Sequence, residues 1–180
     1  MHPSRRPVSL QQYFAGLTEQ TFETRLGVAD PPLVDYLADL LVRFVRSDTI
    51  FRVRDLAGRS LSEVADMLAT AQDRIGIGRR DVHRHIGDFT LFWTGVFPEA
   101  LARLQAPDRR DHLLDYPAQG KRAYYIASTL GDEDTADECA LLARLSHEFD
   151  MCVYGLGEIR RQWEQKLADD GPHDGRLWIN

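Results

Sequence analysis

His85 to Pro98 reads HIGDFTLFWTGVFP, and from Ile86 to Phe97 its only formal charge is Asp88. Val82, Ile86, Phe89 and Trp93 recur every three or four residues, the spacing of one helix face. Leu91, Phe92 and Val96 widen that arc until the helix has to be buried on most sides. The stretch therefore predicts a central helix from Arg79 or Arg80 to about Gly95. Gly87 costs such a helix about 1 kcal/mol relative to alanine. Close approach of a neighbouring helix would offset that cost, so Gly87 and Gly95 mark expected contacts. Pro98 ends the helix and opens a short one through Leu104. Asp88 needs a partner, because an unpaired carboxylate is costly to bury. A buried arginine or tyrosine, or the capping of a neighbouring helix, is the structural expectation. A ligand or metal site is the functional alternative.

Outward from this segment the helical pattern continues. Leu10, Tyr13, Phe14 and Leu17 predict a helix from Ser9, with Thr18 and Thr21 offering a restart before Phe22 and Leu26 and Gly27 as a stop. Asp30 is a good N-cap, followed by Pro31 and Pro32 in the first turn and by the face Leu33, Leu37, Leu40, Leu41 and Phe44, to about Arg46. Residues 47–54 read as a loop or a short extended piece. Ser60 with Glu63 has the capping-box pattern ahead of Val64, Ala65 and Leu68. Ile75 to Gly78 reads as loop. Pro117 starts a helix packed through Ala123, Tyr124, Ala127 and Leu130 and ended by Gly131. Leu142, Leu145, Phe149, Cys152, Leu156, Ile159 and Trp163 alternate spacings of three and four. They predict one helix from about Asp134 to Ala168, about 50 Å long. Such a seam suits a coiled coil or a single-chain bundle, and the bundle is the preferred reading.

The fold expected is all-α: a single helical bundle of six or seven helices with a long C-terminal helix. Residues 1–8 form a disordered arm, 9–170 the domain, and 171–180 a tail in which Leu177, Trp178 and Ile179 dock. No alternation of strand and helix periods suggests an α/β sheet. The chain has 180 residues, enough for one substantial core and little room for two. Its net charge of −6 and lack of a basic stripe argue against nucleic-acid and membrane-surface binding. No apolar run reaches the roughly 18 residues of a spanning helix, and no signal-length apolar stretch follows Arg5 and Arg6, so a cytoplasmic location is expected. Cys139 and Cys152, placed on one helix, would lie about 20 Å apart, too far to bridge, and read as two reduced thiols.

Three of the six histidines precede an aspartate by three residues: His85 and Asp88, His112 and Asp115, His147 and Asp150. On a helix such pairs share a face, and pairs from packed helices could surround a divalent metal. His85, Asp88, His147 and Asp150 are the candidate ligand or metal site, with His112, Asp115, Tyr124 and Tyr154 as possible additions. Ala143, His147, Asp150 and Tyr154 also form a second stripe that could line a cleft between helices or serve as a polar border. His112 and Asp115, among neighbouring charges, read more simply as a solvated loop. Lys121, Arg122, Tyr124 and Tyr125 near their helix start could receive an anion, or form a solvated basic turn. No phosphate loop, dinucleotide fingerprint, zinc-protease helix, nucleophile elbow or CxxC pair is present.

The frame G-D-F-x-L-F-x-x-G-x-F-P, filled here by Gly87 to Pro98, resembles a block of an uncharacterised bacterial family of helical proteins. The tyrosine-bearing stretch from Gly120 to Ala127 is similar to one that follows it there. The resemblance implies a helical protein of bacterial origin and carries no function, cofactor or catalytic residue. The first functional expectation is a noncatalytic interaction or regulatory module that engages a protein partner or a second copy through an apolar helix face. The second is a metal-binding protein or metal-dependent enzyme using the His/Asp site, with one coordination position left for water. Whether the chain is an enzyme stays open, and its cofactor is unknown.

Overall fold

A computed structural model describes residues 9–46 and 62–169. Among these residues the chain is all helical, with eight α-helices and no strand. They are α1 (Leu10–Glu19), α2 (Pro31–Val45), α3 (Val64–Gln72), α4 (Gly76–Val96), α5 (Leu101–Leu104), α6 (Tyr116–Thr129), α7 (Ala136–His147) and α8 (Phe149–Asp169). No helix among the described residues is long and apolar enough to cross a membrane. The expected arm, the loop beyond Arg46, Ser60 and the docking tail lie outside the described residues.

The quoted segment is the axis of the bundle. α4 buries every residue from His85 to Phe92 and packs most extensively against α6, with α8, α3 and α2 on its other sides. Its two glycines lie where neighbours come closest. A methyl group on Gly87 would sit 2.6 Å from the Tyr124 ring, and one on Gly95 would sit 2.9 Å from Leu156 Cβ. The helix starts earlier than expected, at Gly76, so Gly76 to Gly78 belong to its first turn. It ends at Phe97, and Pro98 opens a 3₁₀ turn that leads into α5.

Three expectations about helix ends are corrected. Thr18 and Thr21 do not restart a helix. Their hydroxyls donate back to Phe14 O (2.7 Å) and Leu17 O (2.8 Å), and the helix runs on through a π-helical stretch, Gln20–Arg25. Glu63 is the N-cap of α3, not its third residue. It precedes α3, and its carboxylate accepts the Arg110 amide at 2.8 Å. The long C-terminal helix bends at Glu148, where ψ is 19°, so α7 and α8 are separate helices. The amide of Glu148 still donates to Arg144 O and that of Cys152 to Glu148 O, which carries the apolar register across the bend. Leu142, Leu145, Phe149, Cys152, Leu156 and Ile159 are all fully buried, so that seam faces the chain's own core. Cys139 and Cys152 thus sit on different helices, both as free thiols.

The cap that α3 lacks locally comes from far along the chain. Asp111, fully buried, accepts the amides of Val64 and Ala65 at 2.8 Å each and the Tyr116 hydroxyl at 2.6 Å. The carboxylate meets the positive end of the α3 dipole and its unpaired first-turn amides. Burial, then the bond to Asp111, raises the Tyr116 phenol well above its ordinary pKa, so it acts as a donor. Asp111→Ala is expected to destabilise the protein by roughly 3 kcal/mol in urea unfolding, with Tyr116→Phe costing about 1 kcal/mol. A loss below 1 kcal/mol for Asp111→Ala would mean that water replaces the cap.

Candidate functional site

The partner demanded by Asp88 is threefold. α2 presents Tyr36 and Arg43, two turns apart on one face, and α6 presents Tyr124. The hydroxyl of Tyr36 donates to Asp88 Oδ1 at 2.5 Å and that of Tyr124 to the same oxygen at 2.7 Å. Arg43 Nη1 donates to Oδ2 at 2.9 Å. Arg84, one turn before Asp88, donates through Nε to the Tyr36 hydroxyl at 3.2 Å. Its guanidinium and that of Arg43 lie 5.4 and 5.6 Å from the Tyr36 ring centroid. Glu138 of α7 then accepts from Arg84 and from the buried Arg80, each at 2.6 Å, while Asp39 accepts from Arg43 at 2.8 Å. A continuous polar chain therefore links α2, α4, α6 and α7 through the core.

The electrostatics fix the protonation of this chain. Burial, followed by the neighbouring Asp88 charge, holds both Tyr36 and Tyr124 well above the usual phenol range. Neither can serve as a base. Burial opposes the charge on Arg43, but Asp88 and then Tyr36 outweigh it and keep the guanidinium charged. The arrangement has two positive groups beside one buried acid, each matched in turn by a second acid. Its chemistry is that of a clamp.

The other candidate residues occupy separate settings. His85 is buried and stacks on Phe44 of α2, with ring centroids 5.9 Å apart. His147 is exposed and pairs with Glu148 at 2.8 Å, and Asp150 is exposed and pairs with Lys121 at 2.7 Å. Tyr154 is exposed on α8. His112 donates through Nδ1 to Gln105 O, 2.8 Å away, and Asp115 is the N-cap of α6 through Ala118 N at 3.0 Å. Of the eight, Asp88 and Tyr124 are joined by a hydrogen bond. Among the described residues no group of three or more His, Cys, Asp or Glu side chains is placed to hold a metal ion.

Half of the second stripe does line a cleft. Ala143 and His147 join Val28, Leu33 and Met151 around an open cavity of about 490 Å³ at the α7–α8 bend. Arg144 closes one wall by pairing with Asp30, the N-cap of α2, at 2.7 Å. Asp150 and Tyr154 do not line this cleft, so only the first half of the stripe belongs to it. Sequence reasoning missed Asp111, because its amide partners lie 47 and 46 residues away. It also missed His83, which lies on α4 at 4% exposure.

No protein-family model matches the chain, and neither a curated protein nor a solved structure shows significant similarity to it.

Two outcomes follow from these environments. Asp88→Ala leaves two buried phenols and Arg43 without their acceptor, and is expected to cost roughly 3–5 kcal/mol in urea unfolding. Tyr124→Phe should cost about 1–2 kcal/mol. A cost of under 1 kcal/mol for Asp88→Ala would exclude the clamp. For His83, burial and then the charges of Arg79 and Arg122 push the imidazole down to about 4. The unfolded chain therefore binds the extra proton first on acidification, and stability contributed by this group is full above pH ~6.5 and lost as pH falls toward 4. His83→Gln is expected to flatten that part of the stability–pH curve. An unchanged slope would show that other groups carry it.

Proposed function

We propose that the chain is a noncatalytic helical interaction module, with a protein segment as its partner and the cleft at the α7–α8 bend as the seat. The observation that carries this reading is the contrast between two places. The buried acid that promised chemistry is fully occupied by donors from its own chain. The cleft, in contrast, is open, with Val28, Leu33, Ala143 and Met151 supplying apolar contact and Arg144, His147 and Glu148 a polar rim. Apolar walls with a polar rim are what a side chain of a partner protein needs to be buried and oriented. The seam of α7 and α8 is occupied by the core, so the rim of the bend, rather than the heptad face, is the surface on offer.

A photo-crosslinking residue at Ala143, which is exposed, tests this in the cells that make the protein. A discrete adduct is expected there and not from the same residue at Glu23 on the π-helical stretch. The adduct's mass distinguishes a second copy from a different protein. Arg or Trp at position 143 should leave the unfolding midpoint unchanged and abolish complex formation with that partner in light scattering. Crosslinks no different from the Glu23 control, or a complex that survives Ala143→Arg, would overturn the reading.

A further inference from the structure

A second place on α4 carries charge that no carboxylate among the described residues pairs with. Arg79 and His83 are one turn apart on the helix, on a face turned toward α6, which brings Arg122 to the same cluster. Glu138 compensates Arg80 and Arg84, but among the described residues Arg79 and Arg122 make no ion pair. His83 is 4% exposed, and neither of its ring nitrogens meets a hydrogen-bond partner. Arg79 Nε is likewise buried without one. Buried donors are ordinarily satisfied, and an unsatisfied set that shares one sign of charge is incomplete in a particular way. It lacks acceptors and negative charge.

We propose that Arg79, His83 and Arg122 form a binding site for a phosphate-type oxyanion where α4 meets α6, separate from the cleft at the α7–α8 bend. Two guanidinium groups offer the forked N–H geometry that fits such an oxyanion. Arg122 is exposed and Arg79 half-buried, so both can swing to admit the ligand. His83 lies beneath, and in its neutral form still supplies one ring N–H to an oxygen of the anion. Burial, and then the charges of Arg79 and Arg122, hold the imidazole pKa down, which agrees with this arrangement. Of the basic residues near the α6 start, Lys121 is taken by Asp150, which leaves Arg122 as the one offered to a ligand.

The test uses the full chain and inorganic phosphate, with the His83 imidazole resonances as the readout in ¹H–¹⁵N spectra. Saturable shifts are expected with phosphate and not with chloride at equal ionic strength. Arg122→Gln, a change at an exposed position, should weaken the apparent affinity about tenfold, as should Arg79→Gln. Glycerol phosphate and phosphatidylcholine vesicles with and without phosphatidic acid then separate the two sources of such a group. Binding of the soluble monoester alone assigns a small phosphate ester. Arg122-dependent sedimentation with phosphatidic acid vesicles assigns a lipid headgroup. Resonances that phosphate leaves unmoved, shifts reproduced by chloride, or affinities untouched by both substitutions would overturn the proposal.

Discussion

One carboxylate, that of Asp88, sets the geometry of this bundle. α4 is enclosed by other helices at that level, so water cannot solvate the acid and protein donors have to. Apolar packing alone is non-directional and would tolerate a helix rotated or shifted by part of a turn. Hydrogen bonds at 2.5 to 2.9 Å from Tyr36, Tyr124 and Arg43 do not tolerate it. They fix the rotation of α2 and α6 about the central helix, and Gly87 provides the space in which the Tyr124 ring lies against α4. The charge is then handed outward through the arginines to Asp39 and Glu138, which reach solvent. An acid in the core, two cations partly out of it and two acids nearer the surface make a gradient of burial in which no member is left alone.

The same arrangement appears at the other buried acid. Asp111 collects two amides and a phenol, and so attaches the stretch before α6 to the start of α3. At both sites a tyrosine is the neutral donor that lets a carboxylate be buried without a full opposing charge at each oxygen. This division also separates the two kinds of surface. The carboxylates of Asp88 and Asp111 are inside and engaged, whereas the cleft at the α7–α8 bend is open and mostly apolar.

Much of the architecture was legible because it rests on local rules. The apolar periods of α2, α4 and α8, the Asp30-Pro31-Pro32 start, the stop at Gly27 and the end of α4 before Pro98 all follow from residues within a turn of one another. So did the need of Asp88 for a tyrosine or arginine, since burial cost depends only on the segment's own composition. What was not legible depends on tertiary distance. Nothing near Glu148 in the sequence marks the bend, because the apolar register passes straight through it, and reading that register as one rod put Ala143, His147, Asp150 and Tyr154 on a common face. The histidine–aspartate pairs looked alike in sequence yet divide into a core stack, a helix cap and a solvated ion pair, because helix spacing says which residues share a face and not what that face meets.

The separations along the chain have a kinetic meaning. Asp88 meets Tyr36 across 52 residues and Tyr124 across 36, Asp111 meets Val64 across 47, and Arg144 meets Asp30 across 114. Helical bundles usually fold quickly because most of their contacts are local. Here the individual helices can form locally, but Asp88 takes its donors from α2 and α6, and Asp111 takes two of its three from the start of α3. Any partly assembled state that brings α4 or the α6 approach into an apolar environment without its distant donors holds an unpaired carboxylate there. Such states are disfavoured by the cost that the finished structure avoids, so the chain's polar core imposes on a helical protein the late, concerted closure more typical of folds with high contact order.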